Sequence, residues 1–265
     1  MGSPPLKEQQ AIANFIVEKT LKIEKAIAQK EKLFELLKER RQILIHNAVT
    51  RGLDPNVPMK DSGVEWMHQV PRHWELTKLK FVVKVLKRIA NAVCYDVLSI
   101  TQKGIKVKDV ESGEGQLAMD YGKYQLIYKG EFAMNHMDLL TGYVDITKFD
   151  GVISPDYRVF DLINEDVEDK FLLNLFQDCY KSKIFYPYGQ GVSQLGRWRF
   201  PYESFSNFKI AIPPKEEQVA ISSFIEDMNL KTNKAILAKE KEIEKLKEYK
   251  ATLINAAVTG KIKVG

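Results

Sequence analysis

The chain has 265 residues, of which 45% are hydrophobic and 28% are charged. This balance favours a folded globular protein over a disordered one, and the formal net charge of +5 is too common among soluble proteins to identify a polyanionic partner by itself. Cys94 and Cys179 lack the spacing of metal ligands and are expected to be reduced thiols. No apolar stretch reaches the roughly 20 residues that span a bilayer, so we expect a soluble cytoplasmic protein.

A segment near the start of the sequence is repeated near its end. Residues 4–12 (PPLKEQQAI) recur as residues 213–221 (PPKEEQVAI), and the match continues without a gap to AVT at residues 48–50 and 257–259. Both copies begin with a Pro-Pro pair, which suits the first turn of a helix. After that pair, neither copy contains a proline or a glycine. We therefore predict two related long helices, over residues 4–50 and 213–259.

Apolar side chains in both helices repeat at alternating steps of three and four residues, which is the spacing of a coiled coil. The predicted seams are Ile16, Thr20, Ile23, Ile27, Lys30, Phe34, Leu37, Arg41, Leu44 and Ala48 in the first copy, and Ile225, Asn229, Thr232, Ile236, Lys239, Ile243, Leu246, Lys250, Leu253 and Ala257 in the second. Because the two ends of a domain often lie close together, we expect the helices to run antiparallel with approximate two-fold symmetry, so that two copies of one partner could dock.

The segment between the helices changes character twice. Residues 51–73, which begin rich in Gly, Pro, Asn and Asp, are predicted to be a connector, and residues 74–212 a mixed α/β domain. Within that domain we predict one amphipathic helix over residues 166–183. The predicted strands cover residues 76–83, 97–100, 104–110, 124–128, 157–162 and 205–212.

A helix that opens with PPxxEQ and closes with NAVTxG resembles the conserved regions of the specificity subunits of Type I restriction–modification systems. Residues 46–52 (HNAVTRG) fit this closing pattern well, whereas residues 255–260 (NAAVTG) depart from it modestly. Residues 59–66 (MKDSGVEW) and 70–75 (VPRHWE) are similar to the family's lead into a recognition domain, and residues 150–157 and 191–194 are also similar to it. The resemblance implies an α+β protein in which one mixed α/β target-recognition domain is flanked by two long helices that form an antiparallel coiled coil.

The resemblance also implies a function and a set of partners. We expect a non-catalytic DNA-specificity subunit that recognises one half of a bipartite target in double-stranded DNA. The expected protein partners are two modification (methyltransferase) subunits and the restriction (motor and nuclease) subunits, with S-adenosylmethionine, ATP and Mg²⁺ bound by those partners and no cofactor on this chain. A complete subunit has two recognition domains, so the chain corresponds either to a shortened subunit or to a half-subunit that forms a homodimer.

Two other classes of protein need to be weighed against this expectation. Residues 154–157 (SPDY) approach the Asn/Asp/Ser-Pro-Pro-Tyr/Phe motif of amino-methyltransferases, but Asp156 replaces the second proline and no glycine-rich loop precedes it. A Walker-type phosphate loop and metal-like histidine spacing are also missing from the sequence, which disfavours an enzyme. The remaining alternative is a structural coiled-coil scaffold whose globular head binds protein, and salt-dependent DNA binding would separate it from the specificity subunit.

Two segments are candidates for DNA contact. Residues 186–200 (YPYGQGVSQLGRWRF) combine glycines with side chains that suit base edges or phosphates, and three lysines near residues 104–110 could form a phosphate track. The alternatives are an ordinary glycine-rich hairpin and a plain solvated strand face. For Trp198 we expect a position in the core. The predicted DNA-binding residues are Lys103, Lys106, Lys108, Tyr188, Gln190, Ser193, Gln194, Arg197 and Arg199.

Overall fold

The structure is a computed structural model, and it describes residues 5–110, 121–191 and 198–263. The chain folds into two compact units, one formed by Met1–Leu44 with Glu226–Gly265 and the other by Ile45–Ile225. No helix in the described ranges is both long and apolar enough to cross a membrane.

The elements of secondary structure follow the predicted α+β organisation, with a long helix at each end of the chain. The helices are α1 (Leu6–Arg51), α2 (Asp169–Lys181), α3 (Tyr202–Asn207) and α4 (Lys215–Val258). The strands are β1 (Met59–Asp61), β2 (Gln69–Pro71), β3 (Glu75–Lys78), β4 (Val83–Leu86), β5 (Val97–Thr101), β6 (Gly104–Val107), β7 (Gln125–Ile127), β8 (Phe132–Met134), β9 (Val144–Ile146), β10 (Gly151–Ile153), β11 (Arg158–Leu162) and β12 (Lys209–Ile212).

In the helical unit, α1 and α4 pair along the predicted seam. Every predicted seam position from Ile16 to Leu44 and from Asn229 to Ala257 is buried or half-buried. As the contact on α1 moves forward from Glu24 to Arg41, its partner on α4 moves back from Lys250 to Asn233. The helices are therefore antiparallel, as predicted.

The cross-helix contacts also show the symmetry of the duplicated sequence. Arg41 donates to Asn233 at 2.9 Å, and Lys250 donates to Glu24. Arg41 and Lys250 occupy equivalent positions in the two copies, and so do Glu24 and Asn233. Exchanging the copies turns one contact into the other, so the pair has approximate two-fold symmetry.

One carboxylate breaks this symmetry. Lys30 and its equivalent Lys239 both donate to Glu242, the latter at 2.9 Å. The position equivalent to Glu242 in α1 is Leu33. Hydrogen bonds from Lys30 and Lys239 lower the pKa of Glu242 to about 2, so the two related lysines share a single ionised partner.

The second unit is built from short strands, and its described residues form four small sheets. The two four-stranded sheets have the orders β6-β5-β10-β7 and β4-β11-β8-β9, and two further pairs join β1 to β2 and β12 to β3. All neighbouring strands are antiparallel except β10 and β5. Phenylalanines fill the core, where Phe160 contacts Phe132, Phe176 and Phe205 at centroid distances of 5.0, 5.8 and 5.5 Å.

Parts of the predicted secondary structure are wrong. The predicted strand 76–83 is divided by a 3-10 turn at Leu79–Phe81, and the predicted strand 205–212 begins only at Lys209. Phe205 lies instead in α3. Pro201, in an extended conformation, precedes the first residue of this short helix, and the helix places Phe205 in the core. The predicted helix 166–183 is shorter and begins after Glu168, whose carboxylate accepts from the backbone N–H of Phe171 at 3.0 Å.

The motif that opens α4 packs against the motif that leads into the domain. Glu217 accepts a hydrogen bond from Trp74 Nε1 at 3.2 Å and lies 2.8 Å from His73 Nε2. Gly52 has a φ of +79°, and a Cβ added there would lie 2.6 Å from Glu217 Oε1.

The next residue of the motif, Gln218, is also buried. Its side chain forms hydrogen bonds with the backbone of Asp166, Glu168 and Pro213, each at 2.8 Å. These motif residues therefore have a structural role, in which they pack the start of α4 against the recognition domain.

The motif that closes α1 is packed within the same unit. Val49 and Thr50 are buried. His46 Nδ1 lies 2.9 Å from Oδ2 of the fully buried Asp178. The hydrogen bond with Asp178 raises the pKa of His46 above its usual value, which favours the protonated imidazole beside a buried carboxylate.

Replacing Glu242 with glutamine tests the shared carboxylate. Because the folded-state pKa of Glu242 is depressed below 4.5, its ionised form stabilises the helix pair above that value, and the contribution is lost as pH falls towards 2. We expect the urea midpoint of the native chain to fall more than that of E242Q over this range. The difference should be small because Lys30 and Glu242 are partly exposed, so that solvent screens their interaction. Glu244→Gln, which changes an exposed carboxylate on the same helix, should follow the native profile, and identical profiles for native chain and E242Q would contradict the assignment.

Candidate nucleic-acid interface

The predicted contact segment 186–200 is anchored by a backbone bridge. Gln190 N–H donates to the carbonyl of Arg199 at 2.8 Å, and Arg199 N–H donates to the carbonyl of Gln190 at 2.9 Å. Both side chains are exposed. Ser193, Gln194 and Arg197, which were predicted to contact DNA, lie outside the described residues. The Gln190–Arg199 bridge thus presents a polar and a basic side chain from a fixed backbone.

Trp198 packs at the edge of this bridge and not in the core, so its predicted core position is wrong. The half-buried indole stacks on Tyr186 with ring centroids 5.4 Å apart, and its Nε1 donates to the carbonyl of Tyr186 at 2.7 Å. A Cβ at Gly189 would lie 2.2 Å from Trp198 Nε1, so the indole needs glycine there. Phe200 enters the core instead and is fully buried.

Tyr188 is half-buried and lies against the core. Its ring meets Phe208 edge-on, with centroids 5.1 Å apart, and burial raises the pKa of its hydroxyl. The side chain therefore packs beneath the bridge, and a role in contacting DNA remains a prediction.

The three predicted lysines follow the β5–β6 hairpin. Lys103 lies in the turn before β6, and Lys106 lies on β6 opposite Ser99. Because side chains alternate along a strand, Lys106 faces away from Ile105, which packs against the apolar core. Lys108 follows the end of β6, and its N–H donates to the carbonyl of Val97 at 2.7 Å. The structure therefore places Lys106 on the strand, Lys103 at the turn before it and Lys108 just after it.

A loop that the sequence did not single out holds the Gln190–Arg199 bridge. In residues 135–142, the carbonyl of His136 accepts from Phe200 N–H at 2.8 Å, and Leu139 N–H donates to the carbonyl of Trp198 at 3.1 Å. We call these residues the 135–142 loop. Its two backbone bonds fix the arm of the bridge that carries Arg199.

The same loop contacts the lysine-bearing hairpin. Gln102 Nε2 donates to the carbonyl of Thr141 at 3.4 Å. Inside the loop, the carboxylate of Asp138 accepts from the backbone N–H groups of Leu140 and Thr141 at 2.9 and 3.0 Å. The two predicted contact segments, far apart in sequence, therefore meet at one internally bonded loop. Asp138 and Gly142 are typical turn residues, but nothing in the sequence linked this turn to either segment.

The basic groups near the bridge differ in protonation. Burial and the nearby charges of Arg158 and Arg199 lower the pKa of His136 to about 4, so its ring is neutral at neutral pH. Burial lowers the pKa of Arg158 to about 10, which leaves it charged. Among the described residues, no group of three or more His, Cys, Asp or Glu side chains could hold a metal ion. The described basic groups near the bridge are thus a neutral imidazole and a charged guanidinium at neutral pH.

Comparison with known proteins identifies the class. Residues 74–245 match the family model described as the Type I restriction modification DNA specificity domain. The chain belongs to this family. It carries the DNA-recognition domain of a Type I specificity subunit, as the sequence motifs indicated.

Relatives of this family match almost the whole chain. The MjaVIII specificity subunit of a Type I restriction enzyme from Methanocaldococcus jannaschii is 26% identical over 283 residues, which cover 98% of this chain and 61% of the relative. The putative MjaX specificity subunit from the same organism is 23% identical, covering 98% of this chain and 59% of the relative. The chain thus spans about three fifths of the length of these relatives.

Solved structures of this class share the fold. A chain from a structure of the type I R-M system, solved to explain complex assembly and conformational transition, matches with a TM-score of 0.67 at 12% identity and covers 96% of this chain and 60% of that one. The HsdS subunit from Thermoanaerobacter tengcongensis matches with a TM-score of 0.54 at 13% identity, covering 98% and 60%. The predicted fold class, a mixed α/β domain between two long helices, is confirmed.

Gly189→Ala should disrupt the edge of the specificity domain. The added Cβ collides with the indole of Trp198, and overpacking of this kind typically costs about 1–3 kcal/mol. We expect urea denaturation to show that loss for G189A alone. In a Trp198→Ala background the collision is absent, so the same substitution should cost much less; equal costs in both backgrounds would show that the indole does not require Gly189.

Proposed function

We propose that this chain recognises one half of a bipartite target in double-stranded DNA as the non-catalytic specificity subunit of a Type I restriction–modification enzyme. The observation that carries the proposal is the convergence of two basic segments on the 135–142 loop, within a domain of the DNA-specificity family. Arg199 and Gln190 suit hydrogen bonding to base edges, and Lys103 and Lys106 suit phosphate contacts. Because the bridge holds the backbones of Gln190 and Arg199 and the β5–β6 hairpin holds that of Lys106, these side chains are presented without a large ordering cost.

The duplicated helices support a second recognition domain in the active assembly. Val49, near the end of the first copy, is 1% exposed within the recognition unit, whereas its equivalent Val258 is 65% exposed. At the start of the copies, Ile221 is fully buried, whereas its equivalent Ile12 is only half-buried. We propose that the more exposed set receives another recognition domain, supplied either by a longer chain or by a second copy in a homodimer.

The long helices also carry apolar side chains away from their seam. Leu21, Leu36 and Ile43 on α1 are 59%, 50% and 53% exposed, and Leu230 and Leu237 on α4 are 67% and 57% exposed. Apolar groups exposed on a helix surface are suited to contacts with other proteins, where they gather into a patch. Leu21 and Leu230 are equivalent, so we propose that these faces receive two modification subunits. In this proposal the modification and restriction subunits bind S-adenosylmethionine, ATP and Mg²⁺ and carry out the chemistry.

DNA recognition is tested with arginine variants of the assembled enzyme. Methylome sequencing of cells that carry the intact system would first define the target. Arg197→Ala and Arg199→Ala should then each weaken binding to that target by about 1–3 kcal/mol if the side chain reads a base. A phosphate contact should instead weaken binding to all sequences and reduce its salt dependence.

The matched control is Arg72→Ala, which removes an exposed arginine from the connector of the same unit and should leave target affinity nearly unchanged. Unaltered affinity of both arginine variants over a salt series would remove these residues from the interface. Binding of the native enzyme that shows no preference for the methylated sequence would refute the proposed function itself.

Partner docking is tested on the outer faces of the helices. Leu21→Gln combined with Leu230→Gln should leave helical content unchanged, because both side chains are exposed, but should weaken co-purification with the modification subunit of the same system. Lys25→Gln with Lys234→Gln changes another equivalent and exposed pair and serves as the control. Equal recovery of the modification subunit by both double variants would place its docking site elsewhere.

A further inference from the structure

One buried charge in the recognition unit is not explained by the proposed contacts with DNA. Arg158 begins β11 and is only 6% exposed. Its Nη2 donates to the carbonyl of Phe200 at 3.0 Å, and its guanidinium carbon lies 4.4 Å from the centre of the Phe205 ring. Its Nη1 is buried and has no hydrogen-bond partner among the described residues.

The surroundings of Arg158 offer the face of a ring and a carbonyl oxygen but, among the described residues, no ion-pair partner. Arg88, which is 33% exposed, forms an ion pair with Glu131, whereas no ion pair of Arg158 occurs within the described ranges. A buried charge without an opposite partner is unfavourable, and an apolar side chain of similar volume is often equally or more stabilising at such a site. Core stability alone therefore does not explain an arginine at this position.

The hydrogen bond of Arg158 acts on the backbone next to Arg199. The N–H of Phe200 donates to the carbonyl of His136, and the carbonyl of Phe200 accepts from Arg158, so both backbone polar groups of Phe200 are held. Arg199, the preceding residue, exchanges two backbone hydrogen bonds with Gln190. Removing the guanidinium would release one of the bonds that hold this arm.

We infer that Arg158 is a positioning residue for DNA recognition, whose buried guanidinium locks the carbonyl of Phe200 and so fixes the backbone from which Arg199 is presented. This inference rests on the proposed function of the Gln190–Arg199 bridge. It assigns Arg158 no contact with DNA, since the guanidinium is buried. The lock is present at neutral pH because the pKa of Arg158, about 10, keeps it protonated there.

Hydrogen exchange of the full chain tests the lock without DNA. In Arg158→Met, which keeps a long apolar side chain, we expect the amides of Gln190, Arg199 and Phe200 to exchange about tenfold faster or more, since a hydrogen bond to a charged group is lost. Amides elsewhere, such as those of α2, should change little. Arg88→Met, which removes an arginine bonded to Leu126 and Glu131, should leave the three bridge amides protected.

Two results would overturn the inference. Unchanged exchange at Gln190, Arg199 and Phe200 in Arg158→Met would show that the guanidinium holds nothing there, and equal loosening by Arg88→Met would show a general loss of stability. If Arg158→Met does not fold, Arg158→Lys keeps the charge in a shorter side chain. Faster exchange confined to the bridge in that variant supports the lock, whereas faster exchange throughout the unit rejects it.

Binding of the assembled enzyme to DNA then separates this inference from the proposed function. If both hold, Arg158→Met loses about tenfold in affinity for the methylated target, and its affinity for unrelated DNA changes little. If exchange at the bridge increases while target affinity stays the same, Arg158 orders the bridge but the bridge does not recognise DNA, and the positioning role is rejected. If the native enzyme itself shows no preference for the target, the proposed function fails while the exchange result still stands.

Discussion

The burial of one apolar stripe on each long helix is the constraint on which the helical unit depends. Helices as long as α1 and α4, polar over most of their surface, gain most of their stability from covering that stripe. The heptad spacing supplies a single stripe per helix, so each helix covers the other. Their contacts, from Glu24–Lys250 to Arg41–Asn233, fix the antiparallel direction. Apolar side chains outside the stripe, such as Leu21, then remain exposed on the helices.

The helices were predictable because duplication and periodicity are local signals that extend over many residues. The recognition unit was less predictable because strands such as β8, β9 and β10 have only three residues each and exist through pairing with distant segments. Phe205 shows the same limit, since an apolar run before β12 suggests a strand until Pro201 is seen to start a short helix. Both predicted contact segments meet at the 135–142 loop. This is a tertiary contact, which the spacing of residues in the sequence does not predict.

The residues that identify the family and those proposed to read DNA have different roles. Gly52, Trp74, Glu217 and Gln218 belong to the recognisable motifs, and they pack and bond within the recognition unit. In this chain they build the structural frame, so they identify the class without indicating the target. The proposed contacts lie between those motifs. No sequence motif indicated Arg158, because its inferred role depends on contacts with Phe200 and Phe205, which are distant in sequence.

The pairing of the two related helix copies has a consequence for assembly. The seam contacts of α1 with α4 are equally available between α1 of one molecule and α4 of another, because the same residues meet in either arrangement. What favours the intramolecular pair is tethering through the recognition unit, which raises the effective concentration of one helix around the other. A closed monomer and a helix-exchanged dimer would therefore have the same seam contacts, and protein concentration and the connecting segments would set the balance between them.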